Sequence, residues 1–262
     1  AVTRGVAQEA LSILRENGLF FSSVTITAKE KLCVLEKPAC NPESCPRAKG
    51  HFDRVNDAVY EILHRESGIT REEILSYAEA FEVCPFEFCL DISGFVDGII
   101  CDYNYVFDPD VRLKRYFAEG NQGEYLFLVD EAHNLAARAR EMYSAVLKKE
   151  EVLEMRRLFQ GRAPALARRL DRVNRILLEM KREWGGVRVV ADVHLLGEAL
   201  SHLYAALENW LEDGPEGELR EKTLEFYFQV RAFLNICERI DEHYRISSEL
   251  LEDGSFQVRL FC

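Results

Sequence analysis

The pattern of apolar and polar positions divides this chain into two halves of different character. In the first, residues 2–17 put Val2, Val6, Ala10, Ile13 and Leu14 on one side at helical spacing, and Gly18 stands where a helix-ending glycine belongs. Phe20 to Thr27 is rich in β-branched and aromatic residues and predicts a strand. Phe52, Val55, Val59 and Ile62 predict a helix over 50–66, and Thr70-Arg71-Glu72-Glu73 is a capping box opening a second helix that runs to Phe81. A short helix to Phe95 follows. Gly98 to Tyr103 predicts another buried strand, 110–119 a helix, and the continuous apolar run Tyr125 to Val129 a further strand of a parallel sheet. Helix and strand thus alternate over 1–32 and 85–135, the mark of an α/β layer, with 33–84 interrupting it.

Beyond Asn134 the period changes. Leu166, Leu170, Val173, Leu177, Met180 and Trp184 recur at steps of four and three. Leu196, Leu200, Leu203, Leu207 and Trp210 do the same, as do Phe226, Val230, Phe233, Cys237, Ile240 and Tyr244. With 135–160 as a further helical stretch, these stripes predict a helical bundle broken at 161–164, at Gly185-Gly186 and at 213–215. Residues 245–251 and 255–261, joined through Glu252-Asp253-Gly254, predict a β-hairpin. The expected fold class is therefore α/β plus all-α: a partial parallel sheet interrupted by a small helical segment, then a bundle ending in a hairpin.

Composition changes this picture little. At 262 residues, 48% hydrophobic and 30% charged, the chain is ordinary for a soluble globular protein, and no run of apolar residues is long enough for a membrane span. It begins at Ala1 with no signal-peptide pattern and ends on an apolar run, so we expect a piece of a longer protein. The net charge of −12 argues against nucleic-acid binding through bulk charge. Two local basic tracks remain: Lys29, Lys31, Lys37, Arg47, Lys49 and Arg54; and Arg162, Arg168, Arg169, Arg172 and Arg175, which reads as a solvated face. His194, His202 and His243 read as ordinary surface or core histidines.

Two constellations carry chemistry. The first is Val129-Asp130-Glu131-Ala132-His133-Asn134. Ligands bind off the carboxyl ends of strands in open α/β sheets. Adjacent carboxylates there can hold Mg²⁺ on nucleotide phosphates and polarise an attacking water; the alternative is an acidic helix start set against the macrodipole. The second is Cys33, Cys40, Cys45 and Cys84, spaced C-x6-C-x4-C-x38-C, with the first three in a loop punctuated by Pro38, Pro42 and Pro46. Four thiolates suit zinc or a [4Fe–4S] cluster, and the wide spacing suits the larger group. Disulfides and four unrelated core cysteines are the other readings. Cys89, Cys101, Cys237 and Cys262 lie in apolar surroundings and read as core, Cys89 being a reserve ligand.

The acidic run resembles motif II of superfamily 2 helicases. Thr25 to Cys33 (TITAKEKLC), Cys84-Pro85-Phe86 and Tyr103 to Pro109 (YNYVFDP) resemble the iron–sulfur subgroup, the XPD and DinG helicases, and Cys40-Asn41-Pro42-Glu43-Ser44-Cys45 is more similar to bacterial DinG-type members. The resemblance covers 1–135 by motif and 136–262 only by position and helical character. It implies part of a first motor domain (1–32 and 85–135), a cluster domain (33–84) and an Arch-type helical domain (136–262). It implies a [4Fe–4S] cluster on Cys33, Cys40, Cys45 and Cys84. Asp130 would hold Mg²⁺ through water, Glu131 would activate water, and His133 would couple ATP state to DNA-binding motifs. Single-stranded DNA would be the partner, with Lys29, Lys31, Arg47, Lys49 and Arg54 as candidate contacts, together with the remainder of the motor. It further implies 5′ to 3′ translocation, DNA repair and a cytoplasmic, nucleoid-associated bacterial setting, with no membrane. One departure matters: no G-x-x-x-x-G-K-[ST] occurs in these residues, so we expect an internal fragment inactive as an ATPase by itself. A non-catalytic scaffold stabilised by zinc or a cluster, binding nucleic acid or protein, is the competing class. A redox sensor ranks third.

Overall fold

The computed structural model describes residues 2–118, 123–183, 188–189, 192–215 and 217–262. It divides into two units, 1–106 with 113–130 and 107–112 with 131–262.

In the first unit, α1 (Val2–Glu16) ends at Gly18, whose φ of +97° is the left-handed conformation that glycine adopts without a Cβ clash. β1 (Ser23–Thr25) is buried at every position. α2 (Lys29–Leu32) leads to the cysteine loop. Then come α3 (His51–Arg65), β2 (Gly68–Ile69), α4 (Arg71–Ala80), α5 (Pro85–Ile92), β3 (Gly98–Ile100), and the single turns α6 (Asn104–Phe107) and α7 (Lys114–Phe117). The sheet is parallel in the order β2-β1-β3, with Val24 opposite Ile69 on one side and Ile99 on the other. β1 is paired on both sides, and Val24, with Ile26 just beyond it, is buried in the core while the small polar Ser23 and Thr25 are buried with them. The core joins them to Val55, Ile62, Ile74, Phe88 and Ile92 from α3, α4 and α5. The capping box at Thr70 forms as the sequence predicts: its hydroxyl accepts the Glu72 N–H at 3.2 Å, and the Glu73 carboxylate accepts the Thr70 N–H at 2.9 Å.

The expected strand at 125–129 does not form. The residues run without regular structure, with Leu126 90% and Leu128 92% exposed. A buried parallel strand needs a hydrogen-bonding neighbour and cover on both faces, and among the described residues neither β2 nor β3 pairs with this run. Alternation survives nonetheless: Tyr125 and Phe127 turn towards Tyr116 and Phe117, with the Phe117 and Phe127 rings 6.2 Å apart, while the leucines face away. The expected helix over 110–119 shortens to α7, and the strands predicted at 20–27 and 98–103 to β1 and β3.

The second unit holds α8 (Leu135–Met142), β4 (Ala145–Lys148), α9 (Lys149–Phe159), α10 (Pro164–Glu183), β5 (Arg188–Val189), α11 (His194–Asp213), α12 (Glu218–Cys237), β6 (Arg245–Leu250) and β7 (Phe256–Phe261). The three predicted stripes become its core: Leu170, Val173 and Leu177, then Leu200, Leu203 and Leu207, then Phe226, Val230 and Phe233 are all buried. The stretch 135–160 is not one helix. The alternating Ala145-Val146-Leu147-Lys148 has strand period and pairs antiparallel with β7, Leu147 opposite Val258. The predicted hairpin is thereby extended into a four-stranded antiparallel sheet, β4-β7-β6-β5. Trp184 and Gly185-Gly186, named from the sequence, lie outside the described residues.

Candidate functional site

Each cysteine of the 33–84 segment is placed by local backbone chemistry. Cys33 follows the single turn of α2, its N–H bonded to the Lys29 carbonyl at 2.8 Å. Asn41 nucleates the next turn: its side-chain oxygen accepts the Ser44 N–H at 2.7 Å and its carbonyl accepts the Cys45 N–H at 3.0 Å. Cys45 is buried and Cys40 exposed. Cys84 caps the N-terminus of α5, with Pro85 in the first helical position, where a missing N–H costs nothing.

Electrostatics join two of these thiols. Lys29 lies beside Cys40, which raises the ammonium's pKa first by hydrogen bonding, and Cys84 adds to the field. The same ammonium stands 5.8 Å over the ring of Phe86. At Cys84 burial raises the thiol's pKa, opposed by hydrogen bonds from the backbone N–H groups of Glu87 and Phe86. Four thiols are the kind of donor a thiolate-ligated group takes, and an ammonium and amide donors stand beside two of them, although burial favours the neutral form of Cys84. Cys33 and Cys45 share the segment, but among the described residues no three His, Cys, Asp or Glu side chains converge as a metal centre. All eight cysteines are free thiols.

The basic residues predicted to meet DNA divide in two. Lys31 and Lys49 are exposed. Arg47 and Arg54 instead spend donors on the end of α4: Arg47 Nη1 reaches the Ala78 carbonyl at 3.1 Å, and Arg54 reaches those of Phe81 at 3.1 Å and Glu82 at 2.7 Å. The last carbonyls of a helix have no partner within it, and guanidinium donors satisfy them here. Glu82 needs the help, for its φ of +55° lies in the left-handed region that side chains avoid.

One further residue of this segment carries no mark in the sequence. His51 opens α3 directly after Gly50, whose φ of +70° sets the entry angle. Its ring is buried, and Nδ1 accepts the backbone N–H of Cys84 at 3.2 Å. Burial lowers its pKa, against the pull of Asp91, whose carboxylate stands 3.9 Å from Nε2. A lone histidine in a Lys-Gly-His run carries no signal of this; only a contact between positions 51 and 84 reveals it.

The acidic motif forms a tight exposed turn. Asp130 is exposed and is the last residue of the first unit; Glu131 belongs to the second and has φ +52°. Its carboxylate pairs with His133 Nε2 at 3.2 Å and accepts from Asn134 Nδ2 at 3.4 Å. Glu82 and Glu131 are the two non-glycine residues with positive φ among those described, and each adjoins a predicted site.

Comparison with known proteins reaches both constellations. The DEAD_2 family model matches residues 18–152, just over half of the chain, spanning the four cysteines and the acidic turn. The chain belongs to the DEAD_2 family. The likeness to XPD/DinG-type helicases stands with it. The Fanconi anemia group J protein homolog of Gallus gallus is 32% identical over 73 residues, 28% of this chain and 6% of that protein. The Regulator of telomere elongation helicase 1 homolog of Anopheles gambiae is 21% identical over 163 residues, 57% of this chain and 16% of that one. A solved structure titled XPD_Helicase is 16% identical, with a TM-score of 0.47, over 91% of this chain and 46% of its own. The DEAD_2 chain thus spans less than half the length of each. No helix among its described residues is long and apolar enough to cross a membrane.

Proposed function

We propose that this DEAD_2 chain is part of an ATP-dependent DNA helicase that moves 5′ to 3′ on single-stranded DNA and carries a [4Fe–4S] cluster. The observation that carries the reading is the acidic motif lying, with the four cysteines, inside one stretch matched by the family. Asp130 holds Mg²⁺ through water beside the nucleotide phosphates. Glu131 orients and deprotonates the attacking water, and His133, paired with it at 3.2 Å, links its position to the DNA-binding motifs. Cys33, Cys40, Cys45 and Cys84 hold the cluster, which supplies a rigid cross-link for a proline-rich loop. The Lys29 ammonium and the α5 amides balance the charge of the ligating sulfurs. Lys31 and Lys49, exposed beside this loop, meet the DNA backbone. With no G-x-x-x-x-G-K-[ST] in its sequence, the chain alone does not hydrolyse ATP.

Iron, zinc and acid-labile sulfide content, with a visible absorption spectrum, tests the cluster on anaerobically prepared protein. About four irons and four sulfides per chain, lost in Cys84→Ser, supports the reading. One zinc without sulfide replaces the helicase cluster with a zinc-stabilised scaffold. In the full-length protein Glu131→Gln lowers DNA-stimulated ATP hydrolysis by about a hundredfold or more, the range for losing a general base; unchanged turnover overturns the role given to Glu131.

A further inference from the structure

The hydrogen-bond pattern around His51 has more order than a core histidine needs. The Cys84 N–H can only donate, so the ring accepts at Nδ1 and carries its proton on Nε2. Nε2 is buried without a hydrogen-bond partner, and the group it faces is the Asp91 carboxylate at 3.9 Å. Asp91 lies near the C-terminal end of the helix that Cys84 caps, where Arg115 binds both its carboxylate, at 3.4 Å, and the Leu90 carbonyl. One side chain therefore addresses both ends of α5: Nδ1 grips the peptide in front of its first turn, and Nε2 faces the acid of its last.

We infer that His51 is a positioning residue for Cys84, fixing through Nδ1 the peptide that presents this thiol to a metal group. A first-turn cysteine is aimed by its own backbone, because the Cα–Cβ direction follows φ and ψ. The Cys84 N–H precedes the helix and has no helical carbonyl to bond. Without His51 that partly buried donor would be left unpaired, and the N-terminal turn would reorient towards water, carrying the sulfur with it. Ligand-orienting partners outside the metal's own shell act in this way on metal affinity. The inference rests on the proposed role of Cys84 as a ligand; the contact itself does not.

Three substitutions separate the two nitrogens. His51→Asn puts an acceptor near the position of Nδ1, His51→Gln near that of Nε2, and His51→Leu removes both while filling space. In the metal-free chain, rates of iodoacetamide labelling are read at each cysteine by peptide mass spectrometry, with circular dichroism confirming the fold. Labelling of Cys84 rises about tenfold in His51→Leu and His51→Gln and returns towards the parent rate in His51→Asn, the scale of one lost buried hydrogen bond. Cys33 and Cys45 stay unchanged. In the iron- or zinc-loaded chain, metal loss to a chelator follows the same order. Equal rates in all variants, rescue by Gln rather than Asn, or all thiols moving together would each overturn the inference. A parent chain that takes up neither metal defeats the cluster reading alone, because the labelling arm still decides the bond between His51 and Cys84.

Discussion

Arg54 offers the sharpest test of how the cysteine segment is held. Its guanidinium bonds the carbonyls of Phe81 at 3.1 Å, Glu82 at 2.7 Å and Lys49 at 3.0 Å. The last two lie at exposed positions, where water replaces a lost donor at little cost. The bond to Phe81 is partly buried, and a charge-assisted hydrogen bond of this kind contributes about 1.5–3 kcal/mol. Arg54→Met keeps the aliphatic stem and removes the fork, so the first unit should lose about 1.5–3 kcal/mol. That corresponds to a midpoint lowered by roughly 5–10 °C for a unit of this size. Arg54→Lys keeps the charge but reaches at most one carbonyl, and should recover less than half of the loss. Urea titration of both variants reads stability; hydrogen exchange at 79–84 reads the local opening. If Arg54→Met lies within about 0.5 kcal/mol of the parent, the ordinary surface range, the capping argument fails. If Lys restores full stability, the charge and not the fork was acting.

Other expectations follow from the same geometry. Phe159→Ala should destabilise the second unit by about 3–5 kcal/mol, since the ring is fully buried and set edge-on against Trp210 at 5.0 Å; thermal unfolding reads it. Leu126→Ser and Leu128→Ser should change the stability of this chain by less than about 0.5 kcal/mol, because both side chains already face water, and a larger loss in urea titration would mean they are covered. The Asp97 carboxyl is held below the usual carboxylate range by the N–H and hydroxyl of Ser22, each at 2.8 Å. Its contribution is complete above the unfolded value of about 3.9 and is lost as pH falls through the lower folded one. Asp97→Asn should therefore flatten the acid limb of a stability–pH profile and leave its slope above pH 5 unchanged. Burial pushes the Cys89 thiol up to about 12, so at pH 8 it should resist alkylation while exposed Cys40 and Cys262 are modified quickly.

Sequence alone determined whatever depends on residues close together in the chain. The Thr70 capping box, the turn at Gly18, the hairpin and the three bundle stripes were legible because a period or a cap is written into a few consecutive positions. Both constellations proposed for the candidate site were named on the same ground, since a Cys-Pro step or an Asp-Glu-Ala-His run stands out without neighbours. Tertiary structure decided what needs a partner distant in sequence. The run 125–129 has the composition of a strand, yet a strand exists only when another pairs with it, so its leucines stand in water. Ala145 to Lys148 sat inside a stretch read as helical and became a strand because β7 lay alongside. Arg47 and Arg54 read as a basic track until α4 ended against them, and His51 read as nothing until the Cys84 peptide came within 3.2 Å. A hydrogen-bond donor counts by the acceptor it meets, and only the folded chain brings the two together.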